Sequence, residues 1–297
     1  MFVVFILKVF SRLPFTVIYI ISDFLYLCVK LVKYRKNVVY TNLRNSFPEK
    51  DEKEIKQIAN RFYRHFCDLI LESIKLYSIT EKELNERVNF KSAELLNNYA
   101  RQGKSAIVLG AHYNNWEWCS SIQRFLDHQL LIVFNQVRNN KPMEEFLNYS
   151  RERFGSKTIS IGNPTQIIRS ITGSEPSCLF LAADQTSPRN SQFWTIFLNQ
   201  ETPFYAGPQR IATLANVPVI VQDTRKTGRG RYEIELIELI PEPDKVEPEA
   251  ILLAYAEYLE NMIKEAPEYW LWSHRRWKHK RPENIPLTQK KELIVRG

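Results

Sequence analysis

Between residues 106 and 266 short β-branched runs alternate with longer stretches that carry apolar residues at helical spacing. No other feature of the chain restricts its fold as much. Strands are expected at 106–109, 130–135, 157–161, 178–182, 218–223 and 232–240, and helices at 117–125, 142–154, 165–172, 208–215 and 249–266. Strand and helix in turn predict an α/β fold, a mixed, largely parallel central sheet flanked by helices, because a parallel neighbour is reached only through a crossover. Thr227-Gly228-Arg229-Gly230 between two apolar runs predicts an antiparallel hairpin. Upstream, 51–77 carries Ile55, Ile58, Ala59, Phe62, Phe66, Leu69, Ile70 and Ile74 on one helical stripe, a core face. With no repeat or linker, the chain reads as an N-terminal membrane anchor, 1–32, on one catalytic domain, 33–297.

The chain has 297 residues and a net charge of +8, so an anionic partner is expected. Charge alone leaves nucleic acid and anionic lipid both open, and the N-terminus selects between them. Residues 2–9 are apolar apart from Lys8, 13–32 are apolar apart from scattered polar residues such as Asp23 and Lys30, and Lys33, Arg35 and Lys36 follow. The second stretch has the length of a bilayer span with a cytoplasmic basic flank. Arg12, Pro14 and Asp23 keep an interfacial helix open beside it. No small-residue cleavage site follows the apolar run, so a removable signal is not expected. The four cysteines, Cys28, Cys67, Cys119 and Cys178, show no CxxC spacing and propose neither zinc nor a disulfide framework.

The chemistry is expected at Ser105-Ala106-Ile107-Val108-Leu109-Gly110-Ala111-His112-Tyr113-Asn114-Asn115-Trp116-Glu117-Trp118. A buried strand ending in Gly-Ala delivers the next side chain to the sheet rim, where α/β enzymes keep their reactive groups. His112 is the residue type suited to abstract a hydroxyl proton as a general base, and an ionised Glu117 would hold its ring. Five residues apart, the two could meet only across a loop-to-helix turn. Cys119 as a nucleophile is a weaker reading, since it would lie two residues beyond Glu117 on a different face of the helix, and so is a metal set of His112, Glu117 and His128, which no HExxH pattern or supporting acid accompanies.

In this setting the segment resembles the bacterial lipid A biosynthesis acyltransferases, the lauroyl/myristoyl branch of the lysophospholipid acyltransferase superfamily, whose signature is His-x4-Asp/Glu within Gly-x-His-x-x-Asn-Trp-Glu. Asn42-Leu43-Arg44-Asn45-Ser46-Phe47-Pro48, Ala183-Asp184-Gln185 and Trp272-Ser273-His274-Arg275-Arg276-Trp277-Lys278 are similar to the family's other blocks, in the family's order. The resemblance implies transfer of a fatty acyl chain from acyl carrier protein, or coenzyme A, to a hydroxyl of a lipid A precursor. That reaction needs no metal or other cofactor and runs at the cytoplasmic face of the bacterial inner membrane. It also implies that Asn115, Asp184 and Gln185 border the active site, Asp184 either orienting a basic residue or capping a turn. The family usually has Arg where this chain has Asn135. Arg138 is the nearby substitute, although three extended residues displace a side chain by about 10 Å.

The run from Tyr269 to Arg281 interleaves aromatic and basic residues. Such a run stacks on nucleic acid or sits at a bilayer surface, with Trp among headgroups and Arg275, Arg276 and Lys278 on lipid phosphates. The resemblance favours an anionic glycolipid, and no nucleic acid is expected. Two alternatives remain at this point. One is an acyltransferase acting on an aminolipid or a glycosylated phospholipid, and the other is a non-catalytic protein that binds anionic lipid or nucleic acid.

Overall fold

The computed structural model describes residues 2–289. Its strands are β1 (Val88–Lys91), β2 (Ala106–Gly110), β3 (Gln129–Phe134), β4 (Lys157–Ser160), β5 (Ser177–Ala182), β6 (Trp194–Phe197), β7 (Gln200–Pro203), β8 (Val219–Gly228) and β9 (Arg231–Ile240). Seven of them form one sheet in the order β1-β9-β8-β2-β5-β3-β4. Every adjacent pair is parallel except β8 and β9, the hairpin expected around Gly228. All five residues of β2 are buried, as its unbroken apolar run requires of a strand covered on both faces.

The helices are α1 (Phe2–Ser11), α2 (Phe15–Leu31), α3 (Lys36–Ser46), α4 (Glu52–Lys75), α5 (Glu81–Asn85), α6 (Ala93–Arg101), α7 (Lys141–Glu152), α8 (Pro164–Thr172), α9 (Gly207–Ala215) and α10 (Pro248–Glu265). A capping box opens α4, with the Asp51 side chain accepting from the Glu54 N–H and Glu54 reaching back to Asp51. The segment Trp118–Phe125, expected as an α-helix, winds as a 3₁₀ helix. Its serines explain the tighter pitch: Ser120 Oγ donates to the Glu117 carbonyl and Ser121 Oγ to that of Trp118, three residues back.

The N-terminal region is two helices, and among the described residues no single helix is long and apolar enough to cross a membrane; α2 and α3 meet at 88°. Along α4, α2 turns its polar edge inward: Ser22 Oγ donates to Asp68 at 2.7 Å and Tyr19 OH to Glu72 at 3.0 Å, while Phe15 joins a core cluster with Trp118 and Tyr232. Its apolar edge faces out. Ile20, Phe24, Leu27 and Leu31 are 65, 67, 56 and 81 % exposed, one stripe at helical spacing, and Phe2, Val3 and Phe5 of α1 are exposed as well. The boundary expected at 32 falls in the turn after α2. Met1 and residues 290–297 of the two expected segments lie outside the described residues.

Candidate active site

β2 and β5 are parallel neighbours with Gly110 opposite Ala182. Two residues further along each chain, the same register brings His112 beside Asp184, and His112 Nδ1 lies 2.8 Å from Asp184 Oδ1. The carboxylate is 2 % exposed, and its other oxygen accepts from Trp270 Nε1 at 2.8 Å. Burial works to raise the Asp184 pKa, but the facing imidazole and the hydrogen bonds from His112 and Trp270 outweigh it, and the carboxyl stays below its ordinary range. An ionised Asp184 accepts a hydrogen bond from Nδ1–H, which leaves the lone pair on Nε2. His112 keeps 20 % of its side chain exposed and lines the cavity at the sheet rim.

The expected orienter, Glu117, has a different partner. Its two oxygens accept from Arg151 Nε and Nη2 at 2.9 and 2.7 Å, a two-pronged pair between the loop and α7. Burial alone would raise the Glu117 pKa, but the Arg151 charge and its hydrogen bonds hold it below the ordinary value. Glu117 is therefore a carboxylate near the imidazole rather than bonded to its Nδ1, because a neighbouring strand already delivers Asp184 there. Arg151 was not anticipated. Its signal was a cation in register with Met143 and Leu147 on the apolar edge of a predicted helix.

Asn115, expected on the substrate side, is fully buried behind the loop. It donates from Nδ2 to Glu72 Oε2 at 2.8 Å and accepts the Trp118 N–H at 3.1 Å. The same Glu72 also takes the hydroxyls of Tyr19 and Tyr232, and its backbone carbonyl takes Trp118 Nε1. This hub fixes the turn that carries His112.

In front of His112 lies a cavity of about 760 Å³. Its mouth holds Asn135, Gln185, Arg189, Lys278 and His279, and its wall runs along β3 and β5 through Leu130, Ile132 and Phe180 to the 3₁₀ segment at Cys119 and Ser120. Leu130 is four residues below Phe134 on β3, so the apolar part reaches about 13 Å below the rim. Cys119 is no nucleophile here, since burial raises its thiol to about 12. Arg138 stands exposed on the 135–140 loop and does not line the cavity.

The aromatic and basic run folds back across the rim instead of lying outside as a membrane belt. Trp270 and Trp272 are buried, Tyr113 and Trp270 form an antiparallel bridge, and the Leu271 N–H bonds the His112 carbonyl at 3.1 Å. Asn42 Nδ2 donates to the carbonyls of Trp272 and His274, so two of the blocks quoted above meet physically. Arg276, expected on a lipid phosphate, is 1 % exposed; it donates to the Pro203 carbonyl at 2.6 Å and lies over the Phe204 ring. The charge is inside because the apolar residues on both sides of it are drawn into the core. Burial first lowers the Arg276 pKa, to about 10. Arg275 is exposed but offers the site only a carbonyl, to Thr186; Lys278 alone of the three cations lines the cavity.

A buried carboxylate on an imidazole, at the rim of a mostly parallel sheet and above an apolar cavity, defines a class: an α/β enzyme with one reactive pole and room for a hydrocarbon chain. The chain belongs to the bacterial lipid A biosynthesis acyltransferase family, whose model matches residues 1–279. Over 280 residues it is 23 % identical to the lipid A biosynthesis lauroyltransferase of Escherichia coli K12, covering 93 % of this chain and 89 % of that one. The lipid A biosynthesis acyltransferase of Haemophilus influenzae is 22 % identical over 246 residues, 81 % of this chain and 74 % of its own. The lipid A biosynthesis palmitoleoyltransferase of Escherichia coli K12 is 22 % identical over 250 residues, 83 % of this chain and 80 % of its own.

Proposed function

We propose that this protein transfers a fatty acyl chain from an acyl carrier protein thioester to a hydroxyl of a lipid A precursor, at the cytoplasmic surface of the bacterial inner membrane. The observation that carries the reading is the His112–Asp184 pair opening onto the cavity lined by Leu130, Ile132 and Phe180. Asp184 fixes the tautomer and His112 Nε2 removes the hydroxyl proton as the oxygen attacks the thioester carbonyl. The imidazolium that forms is stabilised by the same carboxylate and returns the proton to the departing thiolate. Glu117 acts through Arg151 as a positioning residue, holding α7 against the loop. The acyl chain lies along β3 and β5. Arg189 and Lys278 at the mouth favour an acidic carrier over a neutral donor. The exposed stripe of α2 and the net positive charge favour a membrane surface.

The test is transfer by the purified full chain with acyl carrier protein and coenzyme A thioesters as rival donors and a lipid A precursor as acceptor. Mass spectrometry should find one added acyl chain on the precursor, made faster from the carrier protein. Failure to acylate that precursor, with transfer to another lipid hydroxyl intact, would overturn the acceptor. Equal rates from both donors would overturn the carrier assignment.

A further inference from the structure

A second cavity, of about 770 Å³, lies between α2, α4 and the β8–β9 hairpin and shares no lining residue with the first. Its charges are unevenly matched. Arg229 is committed to Asp23 and Asp68 at 2.8 and 2.7 Å, and Arg61 to Glu268 at 3.0 Å. Lys226 shares Asp68, at 3.8 Å. Arg64 lies over the Tyr26 ring, with no carboxylate at ion-pair distance among the described residues. In the cavity wall His65 is 4 % exposed; its Nδ1 accepts from Lys226 Nζ at 3.2 Å, so the hydrogen is on Nε2, which has no partner. A buried donor without an acceptor costs stability unless something fills the role. Two further lining residues, Phe24 and Leu27, belong to the exposed apolar stripe of α2.

We propose that this cavity binds the phosphate of an anionic bilayer phospholipid, with Arg64 and His65 as its donors and the α2 stripe set among the neighbouring acyl chains. A ligand charged at one end and apolar beside it is what a surplus cation, a spare N–H and an adjoining apolar stripe select together. A helix lying in the interface buries its apolar edge at the headgroup and acyl boundary, which puts the cavity at phosphate depth. The site is separate from the acceptor's, so the bound lipid is a membrane tether. This inference rests on the membrane-surface reading above.

The test uses the full chain and vesicles of phosphatidylcholine with and without phosphatidylglycerol. Two variants keep the net charge: His65→Phe, since His65 is neutral, and Arg64→Lys, an exposed change that does not threaten the fold. Each should weaken binding to the phosphatidylglycerol vesicles, the first about tenfold for a lost bond to a charged group, and leave binding to pure phosphatidylcholine as it was. If both bind the anionic vesicles like the unaltered chain, the attraction is diffuse and the site does not exist. If the unaltered chain binds neither vesicle, the membrane reading fails and takes this inference with it. Inorganic phosphate separates the remaining source. A rise in melting temperature with phosphate that His65→Phe removes, beside vesicle binding that neither variant alters, would make the ligand a soluble anion and overturn the lipid.

Discussion

Replacing His112 by Ala should lower acyl transfer by ~10²- to 10⁴-fold, and Asp184→Asn should fall in the same range because it frees the tautomer that Asp184 fixes. The first change also leaves a buried carboxylate with Trp270 as its remaining side-chain donor, so the double variant His112→Ala/Asp184→Asn should melt at a higher temperature than His112→Ala alone. If it melts lower, Asp184 is not ionised in the fold. Glu117→Gln should act on stability more than on chemistry. It strands Arg151 in a half-closed pocket, at a cost of about 3 kcal/mol, and thermal melting beside turnover would show the split. His274 supplies a pH dependence: burial first, then the Arg276, His112 and Lys278 charges, push its ring down to about 4 against the pull of Asp184. As pH falls below about 6.5 the unfolded chain takes a proton that the fold refuses until near 4, so stability is lost across that window. Asp184 and Glu117, both held low, contribute stability that is complete above the ordinary carboxylate range and is lost further down, as pH falls through their folded values. The denaturation midpoint should therefore start to decline near pH 6.5, and His274→Gln should flatten the upper part of that decline; an unchanged slope would remove His274 from the account. The place of His112 at the sheet rim was legible in the sequence because the strand, its Gly-Ala end and the histidine follow one another. Its partner was not, since the pairing of 112 with 184 is a register between strands, which no local pattern encodes. Glu117 was misread for the same reason, its true partner lying on α7.

The elements were more legible than the pairs. The six expected strands formed with ends shifted by about a residue, apart from β8, which runs on to Gly228 to complete its hairpin. β6 and β7 were missed because their turn is Leu198-Asn199 with φ of 49° and 61°, where a glycine or asparagine pair would have announced it. β1 is four residues with a single buried side chain, too short for a period to show. Strand packing sets two further outcomes. A Cβ at Gly110 would sit 2.4 Å from Cζ of the Phe180 ring, so Gly110→Ala should cost about 1 to 3 kcal/mol in a denaturant titration. Phe180 would have to move, and a variant as stable as the parent would mean that the cavity wall yields freely. Leu130→Phe adds bulk at the far end of the cavity and should shift the preferred donor toward shorter acyl chains. Competition between thioesters of graded length reads this directly, and an unaltered preference would place the chain's end elsewhere.

Over the whole molecule, the N-terminal helices read in the sequence as an appendage but share the protein's interior. Phe15 meets Trp118 edge to face, Ser22 satisfies Asp68 and Tyr19 satisfies Glu72. Deleting residues 1–32 should consequently yield an aggregating or strongly destabilised chain rather than a soluble catalytic domain; a truncation melting within a few degrees of the parent would show them to be dispensable. The Glu72 hub has a consequence for how the chain is made. Residue 72 leaves the ribosome with Tyr19 already available, but Asn115 follows 43 residues later and Tyr232 a further 117 after that. Until then its carboxylate cannot be closed off from water, so α2 and α4 must wait as a loosely joined pair with their apolar edges bare. On the membrane-surface reading proposed above, a nascent chain in that condition gains from an early place at the bilayer, and synthesis there would protect it from aggregation during the interval in which the hub is incomplete.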